Sequence, residues 1–78
     1  MNEWLAERAD ALADATGIDR DALELSPDEI DAVLELAALA AHSSGVRTNA
    51  PLLCYLVGRA QDGASLDELA DPVRRSTS

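Results

Sequence analysis

The residues best suited to chemistry lie between the end of one apolar segment and the start of the next. His42 is the only histidine of the chain, Cys54 is its only cysteine, and Arg47 lies between them. The same segment offers hydroxyl groups and the backbone N–H groups that open the following helix. Imidazole, guanidinium and free N–H groups are suited to holding a small anion. If this segment has a chemical role, anion binding is the role that its groups fit.

The same segment also has a structural interpretation. Polar side chains in a loop between two helices often cap the helix ends. For His42, at the end of a helix, we favour such a capping role over ligand binding. For the loop as a whole the two interpretations fit equally. The candidate ligand- or partner-binding residues are His42, Arg47, Asn49, Tyr55 and Arg59.

Catalysis and metal binding find no support in the residue pattern. There is no nucleophile–base pair and no glycine-rich nucleotide loop. The single histidine and the single cysteine are far apart, without CxxC or HxxxH spacing. Cys54 is best interpreted as a small packing residue. We therefore predict no catalytic residue, no metal and no cofactor, and expect the chain not to be an enzyme.

The charge of the chain restricts its partners. The net charge is −9 and the isoelectric point is about 4.2, with six arginines and no lysine. Phosphate backbones and anionic membrane surfaces repel such a chain. The apolar runs are too short to cross a bilayer, and the N-terminus lacks the basic start of a signal peptide. We expect a cytoplasmic protein that binds neither nucleic acid nor membrane.

Composition and spacing predict an all-α fold that positions these residues. Alanine, leucine, aspartate and glutamate dominate, and β-branched residues are too scattered for a strand. The spacing predicts helices over about 2–16 and 26–43, a third that starts at about Asn49 or Pro51 and runs to Asp62, a turn near 19–23 and a short last piece over 65–72. We expect a small antiparallel bundle of three main helices plus short helical turns. Residues 1–72 then form one domain and 73–78 a flexible C-terminal tail.

The ends of these helices carry the clearest local signals. Asn2 is a predicted N-cap, and Gly17 is placed to end the first helix. Ser26 and Glu29 form a capping box at the start of the second helix, and Gly45 follows its end.

Apolar spacing predicts which helix faces are buried, and three large apolar residues lie outside those faces. The predicted core faces are Leu5, Ala9, Leu12 and Thr16, then Ile30, Val33, Leu34, Ala37 and Ala41, then Leu52, Leu53, Leu56 and Ala60. Leu36 and Leu39 extend the apolar surface of the second helix, and Trp4 lies off the stripe of the first. These three are candidate interface residues. We expect a weak homodimer that tightens with added salt, because salt screens the repulsion between two acidic chains.

Several of these positions also carry a family resemblance. The resembling positions are Glu3-Trp4-Leu5, Gly17-Ile18-Asp19, Ala41-His42, Arg47, Ala50-Pro51-Leu52, Leu56 and Gly58. The chain resembles a small uncharacterised helical domain of high-GC bacteria. In that family the domain occurs alone or fused C-terminally to the nucleotidyltransferase domain of molybdenum cofactor guanylyltransferase. This chain departs from the family loop at Ser43 and Thr48.

The resemblance implies a place in molybdenum cofactor or nucleotidyltransferase biology, without implying a reaction. We therefore expect a non-catalytic accessory or protein-interaction module whose partner is a nucleotidyltransferase of molybdenum cofactor maturation. The alternative is a small-ligand or anion-binding helical domain that uses the His42–Pro51 loop.

Overall fold

The computed structural model describes residues 1–77, and all the regular structure in that part of the chain is helical. The elements are α1 (Glu3–Thr16), a 3₁₀ turn (Arg20–Leu23), α2 (Pro27–Ser44), α3 (Asn49–Ala60) and α4 (Leu66–Thr77). The all-α prediction is confirmed. Among the described helices, none combines the length and apolar character needed to cross a membrane.

The predicted N-caps form. The Asn2 side-chain oxygen accepts a hydrogen bond from the Leu5 N–H at 2.9 Å. At α2 the capping box closes in both directions: the Glu29 N–H donates to Ser26 Oγ at 3.1 Å, and the Ser26 N–H donates to Glu29 Oε1 at 2.8 Å. Both arrangements satisfy N–H groups that a helix start leaves without a partner.

Two glycines end helices as predicted. Gly17 has φ +75° and donates its N–H to the Ala13 carbonyl at 2.9 Å. Gly45 has φ +71° and donates to the Ala41 carbonyl at 3.0 Å. A side chain is unfavourable at such φ values, so glycine suits both positions.

The last helix corrects the sequence prediction. We predicted a short piece that stops at Pro72 and a tail from residue 73, whereas α4 continues through Pro72 to Thr77. Two features support its last turn. Val73 packs against the core, and the hydroxyls of Ser76 and Thr77 donate to backbone carbonyls three residues back at 2.8 and 2.9 Å. Ser78, the end of the predicted tail, lies outside the described residues.

The chain divides into two units, Met1–Ile30 and Asp31–Ser78. In the first unit Arg20 joins the 3₁₀ turn to α1. Its Nε donates to Asp10 Oδ1 at 2.6 Å, and its Nη1 donates to Glu24 Oε2 at 3.0 Å. The hydrogen bond to Asp10, followed by the one to Glu24, raises the pKa of Arg20 above its usual value.

The second unit is built on a hydrophobic core from three helices. Leu36 of α2, Val57 of α3 and Ala70 of α4 are buried together. Leu53, Leu66, Leu69 and Val73 pack against this cluster. Leu36 is 1% exposed, the most deeply buried large side chain of the described chain. The expectation of a surface leucine at this position is therefore wrong, because Leu36 faces α3 and α4.

The buried faces differ in part from the predicted stripes. On α2 the fully buried positions are Leu36 and Ala40, while Leu34 is 62% exposed. On α1 Ala9 is buried and Leu12 is exposed. A helix with apolar residues on several sides can bury any of them, and the spacing alone does not choose. The antiparallel packing of three main helices stays a prediction.

Candidate interaction site

One side of α3 exposes large apolar side chains to solvent. Leu52 is 59% exposed and Leu56 is 61% exposed, and Tyr55 beside them is exposed as well. Residues three and four apart on a helix share a face, so these three side chains are neighbours. Arg59 continues the row, with its guanidinium carbon 5.9 Å from the centre of the Tyr55 ring. We call Leu52, Tyr55, Leu56 and Arg59 the α3 face.

The α3 face points outward because the opposite side of the helix serves the core. Val57 is buried and Leu53 packs against the core cluster. The Cys54 thiol, partly buried, lies 3.8 Å from the Val33 carbonyl of α2 and donates to it. Since α3 is apolar on nearly every side, burying one side leaves leucines on the other.

An apolar groove adjoins the α3 face. It has a volume of about 310 Å³. Its lining residues are Ala40, Ser43, Ser44, Asn49, Leu52, Leu53, Leu56, Val73, Ser76 and Thr77. A second hollow of about 290 Å³ continues along α3 and α4 and shares Leu53, Leu56 and Val73 with the first. The groove shares Leu52 and Leu56 with the α3 face, and none of its lining residues is charged.

Acidic residues are absent from the stretch of sequence that supplies most of this surface. All 15 acidic residues lie outside the stretch 36–61, which contains the α3 face and most of the groove. On α4 the acidic Asp71 is drawn to the side of α2, because Arg74 bridges it to Glu35. The Arg74 guanidinium lies 3.4 Å from Asp71 and 3.0 Å from Glu35. The groove wall that α4 supplies is made of Val73, Ser76 and Thr77.

The loop candidates do not form an anion cradle of the expected kind. His42 and Arg47 are exposed, and neither side chain makes a hydrogen bond or ion pair with another residue of the described part. The N–H groups of Asn49 and Ala50 already donate to backbone carbonyls, at 3.0 and 3.1 Å. The next residue, Pro51, has no N–H to offer. The start of α3 therefore has few donors left for an anion.

The remaining candidates lie along α3 rather than at the loop. Asn49 is the first residue of α3 and lines the groove. Arg59 follows it by ten residues, about 15 Å along a helix axis. Arg47 precedes the helix and Arg59 lies in its last turn. Three of the five predicted binding residues thus lie along α3, Arg47 precedes it and His42 lies near the end of α2, so the structure does not bring the five to one small pocket.

The residues that sequence reasoning missed are Leu52 and Leu56. Both were assigned to the core face of the third helix, and both are exposed instead. A usable signal was present: a chain rich in carboxylates has none in the stretch 36–61. Of the predicted interface residues, Trp4 is exposed, with the Arg8 guanidinium carbon 4.9 Å from its ring centre, and Leu39 is partly buried.

Comparison with known proteins gives one match. Residues 1–78 match a protein family described as "Domain of unknown function (DUF6457)". No curated protein and no solved structure matches the chain.

Proposed function

The chain belongs to this family, DUF6457, and on that premise we propose that it is a protein-interaction module that binds a partner protein through the α3 face and the adjoining groove. One observation carries the proposal. Leu52 and Leu56 are about 60% exposed in a unit that buries Leu36, Val57 and Ala70 and packs four other apolar side chains around them. Exposed leucines beside an apolar groove are a feature of binding surfaces rather than of plain solvated helices.

The expected strength of binding follows from the size of the face. Fully burying an exposed leucine contributes about 1.5–3 kcal/mol, and Leu52 and Leu56 can each gain part of this because they are about 60% exposed. A partner that covers Leu52, Tyr55 and Leu56 gains several kcal/mol, the same order as the cost of association, about 4–15 kcal/mol. Contacts along the groove must supply the surplus. We therefore expect a reversible complex rather than a permanent one.

The partner that we propose is a nucleotidyltransferase of molybdenum cofactor maturation. The support is the resemblance to the helical domain of high-GC bacteria that is found alone or fused to molybdenum cofactor guanylyltransferase. A domain that occurs in both forms is suited to acting on the same enzyme in cis or in trans. In this role the chain is an accessory without a reaction of its own.

The test is direct binding to the purified guanylyltransferase of the same organism, measured by titration calorimetry. We expect the wild-type chain to bind and Leu56→Asp to lose most of its affinity, because a carboxylate replaces an apolar contact. Leu34→Asp is the matched control. Leu34 is 62% exposed and Leu56 is 61% exposed, in the same unit but on different helices. Circular dichroism should show that both variants keep their helices.

Two outcomes would contradict different parts of the proposal. If the wild-type chain does not bind the guanylyltransferase, the assignment of the partner is wrong. If Leu34→Asp weakens binding as much as Leu56→Asp does, the binding surface is not the α3 face.

The alternative function is a small-ligand or anion-binding domain built on the His42–Pro51 loop. Its support is the exposed Arg47, which has no partner in the described part of the chain. A thermal-shift titration with phosphate, GTP and molybdate tests it. A dose-dependent rise in melting temperature that Arg47→Ala removes would favour the alternative over the interaction module.

A further inference from the structure

We propose that the segment that docks on the α3 face is an acidic amphipathic helix of the partner protein. This inference rests on the proposed function and adds the chemistry of the partner. It starts from the uneven distribution of charge. The first unit holds nine acidic residues and two arginines, a net charge of −7, and the second holds six acidic residues and four arginines, a net charge of −2. Within the second unit the stretch 36–61 contains Arg47 and Arg59 and no carboxylate.

The two arginines lie near the two ends of the helix that carries the α3 face. Arg47 precedes α3 and Arg59 lies in its last turn, with Leu52 and Leu56 between them. Neither arginine has a carboxylate within ion-pairing distance in the described part of the chain, whereas Arg20 and Arg74 each have two. A chain with 15 acidic residues thus leaves two guanidinium groups without a carboxylate near the ends of α3, within the described part of the chain.

These positions fit an α-helix as the occupant. An amphipathic helix that lies in a groove presents apolar residues at positions i, i+3, i+4 and i+7. Leu52, Tyr55, Leu56 and Arg59 have the same spacing on α3, so two helices can pair along this row. Carboxylates about three turns apart on the partner helix would then reach Arg47 and Arg59.

The charges near the α3 face decide which kind of occupant binds there, although the whole chain is acidic. At physiological ionic strength the screening length is about 8 Å, so distant carboxylates act weakly and charges in contact dominate. A basic helix gains from the net charge of −9 at long range but meets two arginines on docking. A second copy of the chain docked face to face would place Arg59 near Arg59 if the two α3 helices ran parallel, and near Arg47 if they ran antiparallel. The acidic helix is the occupant that avoids both conflicts.

The experiment uses two designed peptides of about 18 residues with the same leucine row. One carries glutamates on its flanks and the other carries lysines at the same positions. Fluorescence anisotropy against the full chain measures both affinities at physiological salt. We expect the glutamate peptide to bind at least about tenfold more tightly than the lysine peptide, and Arg59→Glu to reverse this order.

Arg8→Glu is the matched control, because Arg8 also lies over an aromatic ring and its substitution changes the net charge equally, but on α1. It should change either affinity by less than about threefold.

Each other result overturns the inference. It is wrong if the lysine peptide binds at least as tightly to the wild-type chain, or if neither peptide binds up to about 1 mM. It is also wrong if Arg8→Glu and Arg59→Glu have equal effects. A dimer seen in sedimentation that Leu56→Asp dissociates would assign the face to a second copy instead.

The two proposals can fail separately. If the peptides behave as expected and the guanylyltransferase does not bind, only the named partner is wrong. If the guanylyltransferase binds through Leu56 and the glutamate peptide shows no preference, only the acidic chemistry of the partner is wrong.

Discussion

The two units of the chain are both helical but are stabilised by different contacts. In Met1–Ile30 Ala9 is the one buried hydrophobic side chain, and the ion pair of Arg20 with Asp10 ties the 3₁₀ turn to α1. In the second unit Leu36, Val57 and Ala70 form a core from three helices. Exposed ion pairs contribute about 0–1 kcal/mol each, and a buried leucine contributes about 1.5–3 kcal/mol. Helical sequence alone therefore does not make a core, and the second unit holds most of the stability.

The largest expected effect is the loss of the core leucine. Leu36→Ala should lower the free energy of unfolding by about 3 kcal/mol, because it removes a fully buried side chain and leaves a cavity. Leu34→Ala on the same helix is the control and should cost less than about 1 kcal/mol, since Leu34 is mostly exposed. Denaturant unfolding followed by circular dichroism measures both. Equal losses would mean that the core does not centre on Leu36.

The next-largest expected effect is the loss of a helix cap, which we compare between the two units. The double substitution Ser26→Ala with Glu29→Ala should cost about 1–2 kcal/mol, because it removes both hydrogen bonds of the capping box at α2. Ser65→Ala should cost less, because at α4 the Ser65 hydroxyl accepts one hydrogen bond, from the Glu68 N–H at 3.1 Å. Thermal unfolding of the two variants gives the order. If Ser65→Ala is the more damaging, the start of α4 is the more important cap.

Arg20→Ala tests the polar cohesion of the first unit. We expect a loss of stability smaller than that of Leu36→Ala, and one that shrinks as salt screens the contacts with Asp10 and Glu24. Since the pKa of Arg20 is raised, its contribution is complete at neutral pH and is lost only as pH rises through that raised pKa, in strongly alkaline solution. Unfolding at low and high salt measures the effect. A loss that does not change with salt would point to packing of the arginine stem instead.

The smallest expected effect belongs to Arg47→Ala. Arg47 is exposed and has no partner within the described residues, so its removal should change stability by less than about 0.5 kcal/mol. Any effect on binding should therefore exceed the effect on folding. A thermal melt, run together with the binding measurements, tests this prediction. A melting temperature many degrees lower would show that Arg47 is structural and not part of a recognition surface.

The boundaries of the helices were largely readable from local chemistry. The residues that start and end helices act on backbone groups within four residues, so their effect does not depend on the rest of the fold. They are Asn2, the Ser26–Glu29 box, Gly17 and Gly45. Pro72 was the exception. We took it as a helix end by local rules, but contacts of Val73 with the core extend α4 past it. Tertiary packing, which local rules do not contain, decided that boundary.

The side of α3 that faces solvent was not readable in the same way. Leu52, Leu53, Leu56 and Val57 are all apolar, so spacing offers several core faces. The choice depends on α4, whose Leu69 and Val73 pack where Leu53 and Val57 lie. The predicted core face of α3 is therefore confirmed at Leu53 and wrong at Leu52 and Leu56. The residue types of the polar candidates could be predicted from the sequence. How far apart these side chains lie could be known only from the observed helices.

Pro72 has a consequence for how α4 exchanges its amide protons with water. Proline carries no N–H, so the carbonyl of Glu68 lacks its usual helical donor, and the ladder of α4 is interrupted near its middle. The five residues after Pro72 are joined to the first turns by fewer hydrogen bonds than in an unbroken helix. Their amides should therefore exchange with deuterium sooner than those of α2 around Leu36, through a partial opening that leaves the core intact. Because Val73, Ser76 and Thr77 also line the groove, the same opening would widen it without unfolding the domain.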